Sequence, residues 1–234
     1  MRVLFLAAAF AALATPAIAA PKPPATKTTA TNWTSHIEST PQGGTRIGNP
    51  AARVQLVEFG SFTCSHCKAF HDEGLPALKA KYIATGNVAF EFRSFSRNGP
   101  DFTATLLAVC QAMAPQLRFI DALFADQDNW LKPFTTISDT DNKTMQALPV
   151  EKQFAVLAKL GKLDVWAAAH GLPLKNAPAC LNSKTAMDMV VANRNQAVNV
   201  FGLTGTPTFV INGKTVAGVY EWSALEPKLV EALR

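Results

Sequence analysis

The chain has 234 residues, 48% of them hydrophobic and 17% charged, with a formal net charge of +5. That length allows one sizeable core, and the mild basicity is spread over scattered lysines and arginines, so nucleic acid is not an expected partner. Four cysteines (Cys64, Cys67, Cys110 and Cys180) are too few to be a disulfide framework for a chain this long.

The chain opens MRVLFLAAAFAALATPAIAA, where a single Arg2 precedes an apolar run from Val3 to Leu13 and Ala17-Ile18-Ala19 has the spacing a signal peptidase accepts. Residues 1–19 are expected to be a signal peptide, cleaved near Ala19 and directing export to the periplasm. The competing reading is a membrane anchor, for which the run is short against the roughly 20 residues of a span. Residues 20–49 are expected to be an N-terminal linker. Residues 20–35 are rich in Pro, Thr, Ala and Lys and read as a disordered lead-in in which Trp33 alone is fit to dock, and 40–50 read as turns on Gly43, Gly44, Gly48 and Pro50.

From residue 50 to 234 the pattern is that of one α/β domain. Residues 53–59, RVQLVEF, predict a mostly buried strand, and a helix is expected over about 64–82, kinked near Gly74 and Pro76. Residues 88–93, VAFEFR, predict a second strand, so strand, helix and strand form a parallel βαβ unit. Residues 103–200 read as a helical block with helices at 103–126, divided or bent by Pro115, and at 149–160, 162–169 and 183–199. Strand character returns at 207–211, PTFVI, and 214–217, KTVA, around the hairpin signal Asn212-Gly213, and a last helix is expected over 222–233. The block is therefore read as an insertion at about 103–200, not as a second tandem domain.

Cys64-Ser65-His66-Cys67 directly follows the first strand and opens a helix. Free N–H groups and the partial positive charge at a helix N-terminus favour a Cys64 thiolate, and His66 is a possible positive neighbour. Cys67, one turn on, is expected to be more buried and to resolve a mixed disulfide formed at Cys64. The alternatives are an inert structural disulfide or half a zinc site, but zinc wants about four ligands, no second Cys-x-x-Cys is present, and of the nearby His66 and His71 the first lies inside the pair. No metal and no cofactor are expected. Glu58 interrupts an apolar strand six residues before Cys64. It is either a solvated edge residue or a buried acid beneath the pair, able to take a proton from Cys67 through water. Pro207 opens the late strand, where it forfeits only one ladder donor. The phenylalanines Phe59, Phe62, Phe70, Phe90, Phe92 and Phe209 read as packing, and His36 and His170 as surface or capping residues.

The segments VEFGSFTCSHCKAFH and GTPTFVINGK, with the helical block between them, resemble the thioredoxin superfamily and, more narrowly, its DsbA-like branch of secreted thiol oxidoreductases. The resemblance implies a thioredoxin-like fold with a helical insertion. It implies that Cys64 is the solvent-facing nucleophile, Cys67 the buried resolving cysteine, His66 a stabiliser of the Cys64 thiolate and Glu58 the acid handling the Cys67 proton. It makes Thr206–Pro207 a cis bond in a loop that offers backbone to an extended substrate. The turn is Ser-His where the best-known oxidase of the branch has Pro-His, and Thr206 precedes the proline where strong oxidases often have Val. The implied activity is disulfide donation to reduced or misfolded exported proteins by a monomer, with a membrane partner linked to quinone for reoxidation. A reductase or isomerase using the same pair is the alternative, and a non-enzymatic holdase a third. Some members of the branch also carry an extra disulfide in the insertion. With the even count and the exported compartment, this makes Cys110–Cys180 an expected structural disulfide, against two separate buried thiols.

Overall fold

The computed structural model describes residues 31–234. The expected signal peptide lies outside these residues. Within them the chain is already structured at Trp33–Ser35, a 3-10 turn capped by the Asn32 side chain, and the Trp33 indole lies against Gly86, where a Cβ would meet Nε1 at 2.7 Å. The expected linker needs correcting, because its second half is part of the sheet. Strands β1 (Ile37–Ser39) and β2 (Thr45–Ile47) form an antiparallel hairpin, with Ile37 opposite Ile47 and Ser39 opposite Thr45. The glycines that read as turns do turn the chain, Gly43 at φ 76° and Gly48 at φ 114°, but they bracket strands too short to show a period of two.

β3 (Val54–Gly60) is the central strand and is followed by one long helical run, α1 (residues 65–83). α1 does not break at Gly74 and Pro76. It is α-helical over Ser65–Ala69 and Leu75–Leu78 and widens to π-helix over Phe70–Gly74 and Lys79–Ile83. Pro76 offers no N–H to the preceding turn, and Leu75 N–H bonds five residues back to the Phe70 carbonyl, so the missing donor is absorbed by a wider turn. β4 (Val88–Ser94) then lies parallel to β3, Glu58 opposite Phe92, and is buried at every position.

The insertion comprises α2 (Gly99–Val109), α3 (Met113–Ala125), α4 (Gln127–Leu131), α5 (Asp139–Gln146), α6 (Val150–Leu160), α7 (Leu163–Ala169), α8 (Ala177–Leu181) and α9 (Lys184–Phe201). It begins a few residues before the expected 103, because Asn98 caps α2 by accepting from Asp101 N–H. The helix expected over 103–126 is interrupted at 110–112. Pro115, in the first turn of α3, has no N–H for the carbonyl of residue 111, and its ring would clash with that carbonyl. β5 (Thr208–Ile211), β6 (Lys214–Val216) and α10 (Trp222–Ala232) complete the fold. The sheet runs β1-β2-β4-β3-β5-β6, with only the β3–β4 pair parallel.

The main core lies between α1, the insertion and one face of the sheet, and includes Phe62, Phe70, Phe90, Phe92, Phe124, Trp130 and Phe209. A smaller cluster of Phe59, Phe95, Leu203 and Val210 packs on the other face. Each of the six phenylalanines expected to pack is buried. Cys110 and Cys180 are joined by a disulfide, Cα to Cα 5.4 Å, which ties the end of α2 to α8. Cys110 is the C-cap of α2 and is exposed, whereas Cys180 is buried.

Candidate active site

β3 delivers the chain to the Ser61–Thr63 turn, and Cys64 occupies the N-cap of α1 in an extended conformation. Cys67 sits in the first turn and is wholly buried. Both are free thiols. Cys64 is less open than the resemblance implied: it keeps 4% of its surface exposed against 0% for Cys67.

The insertion and the segment that leads into it fix this turn through three residues. Asp101, in the first turn of α2, is fully buried, and its carboxylate accepts from Ser61 Oγ at 2.5 Å, Phe62 N–H at 2.9 Å and Arg97 N–H at 2.9 Å. Burial pushes the Asp101 carboxyl up to about 6, against the pull of those donors. The Arg97 guanidinium donates to Ser61 Oγ at 3.0 Å and to the Thr63 carbonyl at 2.8 Å. The Gln127 amide, from α4, donates to the carbonyls of Phe62 at 2.8 Å and Cys64 at 3.1 Å. These partners satisfy backbone groups that a buried turn would otherwise leave unpaired.

The Cys64 thiol is drawn down from 9.0 to about 5. Hydrogen bonding from the Cys67 side chain is the largest cause. Burial opposes it, and hydrogen bonds from Thr206 and the Cys67 N–H, with the charge of Arg97, lower the thiol further. In its protonated form Cys64 Sγ donates to the Thr206 carbonyl oxygen at 3.2 Å. The Thr206 hydroxyl is buried with no other partner, so it is free to turn to the sulfur once that proton has gone. Cys67 is pushed up, first by burial and then by its hydrogen bond to Cys64 and the charge of Glu58. Ser61 N–H points at its sulfur at 3.4 Å.

Glu58 is not an edge residue. It is completely buried on β3, and its Oε2 lies 2.9 Å from His71 Nε2. The Thr206–Pro207 bond is cis, and both residues are buried beside Cys64. His66 is exposed and makes no hydrogen bond to Cys64 among the described residues. It lines a cleft with Phe70, Glu73, Glu221 and Trp222. His170 is exposed and stacked on Trp166. The structure thus brings Cys64, Cys67, Glu58, Thr206 and Pro207 together and holds His66 at the rim. Sequence reasoning missed Asp101, Arg97 and Gln127, and met His71 only as a histidine near the pair. Only His71 carried a signal, since it is four residues after Cys67 and so on the same helix face.

A dithiol at a helix N-terminus, seated on a buried acid and facing a cis-proline loop at the end of a central strand, defines a redox-capable protein of the thioredoxin fold. A thioredoxin family profile matches residues 39–231, and the chain belongs to that family. The crystal structure of a protein-disulfide isomerase from Novosphingobium aromaticivorans superposes with a TM-score of 0.76 at 28% identity, covering 81% of this chain and 96% of that one. That of alpha-DsbA1 from Wolbachia pipientis gives 0.65 at 25% identity over 83% and 93%, so within the family this chain is DsbA-like. A protein of Rickettsia felis named as a candidate protein-disulfide oxidoreductase is 29% identical over 188 residues, 80% of this chain and 59% of the relative. The chain therefore spans somewhat over half the length of that relative.

Proposed function

We propose that the protein is a thiol–disulfide oxidoreductase that donates the Cys64–Cys67 disulfide to reduced, newly exported proteins. A substrate thiolate attacks Cys64 Sγ, the Cys64–Cys67 bond breaks, and its electron pair leaves on the Cys67 sulfur, which takes a proton. A second substrate thiolate then attacks the substrate sulfur of the mixed disulfide, and Cys64 departs as a thiolate. The substrate dithiol is oxidised and the cysteine pair reduced.

The observation that carries this reading is Cys64 at the N-cap of α1, against Thr206 and Cys67, a setting that draws its thiol down to about 5. A thiolate stabilised in the reduced protein makes Cys64 a good leaving group and its disulfide an oxidising one. Thr206 and Pro207 are assigned the substrate-facing loop, Glu58 the Cys67 proton, and His66 a place at the rim where a partner arrives. A membrane partner linked to quinone is assigned the reoxidation, and the periplasm the location.

One observation favours isomerase or reductase as a second reading: a solved structure of which this chain covers 96% is that of a protein named as an isomerase. The equilibrium potential of Cys64–Cys67 separates the two. A value well above the roughly −270 mV of thioredoxin is expected for the donor, and a more reducing value moves the assignment to reductase. In the same assay Cys67→Ser should accumulate mixed disulfides at Cys64.

A further inference from the structure

Glu58 and His71 form a buried pair with two polar atoms to spare. Side-chain exposure is 0% for Glu58 and 3% for His71. One oxygen, Oε2, meets Nε2 at 2.9 Å, while Glu58 Oε1 and His71 Nδ1 are buried without a hydrogen-bond partner. The imidazole is clasped by apolar rings: Phe124 stacks on it at 3.8 Å, with Phe92 at 5.6 Å, Phe70 at 5.7 Å and Phe90 at 6.4 Å edge-on. Isolated charge is expensive in such a place, whereas a carboxyl–imidazole pair sharing one proton is neutral overall. The carboxyl head lies towards the catalytic turn. Oε1 is 2.7 Å from where a Cβ on Gly60 would stand, next to Ser61, whose N–H points at Cys67 Sγ.

We propose that His71 is a positioning residue for the reaction, and that it and Glu58 together store the one proton that Cys67 takes when its disulfide opens. The proposal rests on the exchange chemistry assigned above. When the substrate thiolate attacks Cys64, the S–S bond breaks and the electron pair settles on the Cys67 sulfur. The proton held between Glu58 and His71 passes to that sulfur from the Glu58 carboxyl. The pair is left as a carboxylate accepting a hydrogen bond from a neutral imidazole. When the partner re-forms the disulfide, Cys67 returns the proton to Glu58. Cys67, whose ionisation the Glu58 charge opposes, is the titratable group coupled to the pair. The rings packed on His71 from α1, β4 and α3 carry no charge. Histidine suits this place because it can hold the proton while still hydrogen-bonding the carboxylate; glutamine can bond but not hold it.

The test is the rate at which a thiol reagent opens the Cys64–Cys67 disulfide, followed from pH 5 to 8 in water and in deuterium oxide, on the full chain and on His71→Gln, His71→Phe and Glu58→Gln. His71→Phe completes the aromatic cluster and guards against a variant that fails only to fold. Both His71 variants should open at least about tenfold more slowly at neutral pH, with a changed pH profile and solvent isotope effect. The alkylation rate of reduced Cys64 should not move. Combining His71→Gln with Glu58→Gln should add little, because both act on one path. An unchanged profile in His71→Gln and His71→Phe, with the parent protein fully active, overturns the proton store alone. A parent whose disulfide does not exchange at all overturns both this and the exchange chemistry.

Discussion

Cys64 is nearly enclosed, yet it is the side chain most strongly drawn toward its ionised form. Hydrogen bonds from Cys67 and Thr206, with the charge of Arg97, outweigh the burial that opposes them. Because the folded value of about 5 lies below the ordinary 9.0, ionisation of Cys64 adds stability that is fully present above pH 9. That stability falls away as pH drops and is gone below about 5. Reduced protein compared with Cys64→Ala in urea should therefore lose its relative stability from pH 8.5 down to 5, by no more than about 1.4 kcal/mol per pH unit. A pH-independent difference would mean that the thiolate is not held this way. Arg97→Gln should raise the thiol, read by thiolate absorbance against pH, since it removes the charge that lowers it. Of this chemistry, the cysteine pair and the odd acid Glu58 were legible in the sequence, because each breaks a local pattern. Asp101, Arg97 and Gln127 were not. They are ordinary polar residues whose importance lies in which buried N–H or carbonyl they reach across 30 to 65 positions of chain.

Among the elements, the β1–β2 hairpin is the one that sequence reasoning mistook for linker. Three-residue strands display no alternation, and what makes them strands is their partner. Thr45 and Ile47 pair with Phe92 and Phe90 of β4. Thr40, in the hairpin turn, donates its hydroxyl to the buried Glu91 at 2.5 Å and accepts Gly44 N–H at 3.0 Å. Arg93 closes the same cluster, donating to both Glu91 oxygens. Thr40→Val keeps the branched shape but leaves a buried N–H and part of a buried carboxylate unpaired. It should cost about 1–3 kcal/mol in urea unfolding without moving the Cys64 titration. A loss below 0.5 kcal/mol would show that the hairpin rests on the sheet by backbone bonds alone. The longer strands and helices were legible within a residue or two, apart from the helix expected over 103–126, which begins four residues earlier and is two helices, α2 and α3. The short helices α4, α5 and α8 were not, since five to eight residues rich in polar or small side chains offer too few turns to carry a helical period.

For the whole molecule, the order of strand–helix–strand, helical block, hairpin and helix was readable, because the two apolar, β-branched segments bracket a long stretch that lacks them. What that order could not reveal is that the block reaches back to clamp the catalytic turn. The Cys110–Cys180 disulfide closes a loop of 70 positions within this block, and in the chain-entropy treatment such a closure stabilises by at most about 4 kcal/mol. Replacing both cysteines with alanine should lower stability by up to that amount while leaving the rate of Cys64–Cys67 exchange near its parent value. A loss under about 1 kcal/mol would leave the loop-closure account without support. The exposure of this bond is lopsided, and that gives its breakage a direction. Cys110, at the end of α2, is exposed whereas Cys180 is buried, so an incoming thiolate is expected to attack at Cys110. Attack must then expel Cys180 as a thiolate into a dry interior, where a bare sulfur anion is poorly tolerated and so leaves reluctantly. Any adduct caught on the way should be carried on Cys110 alone, and the buried end of the bond thereby acts as a check against stray reductants.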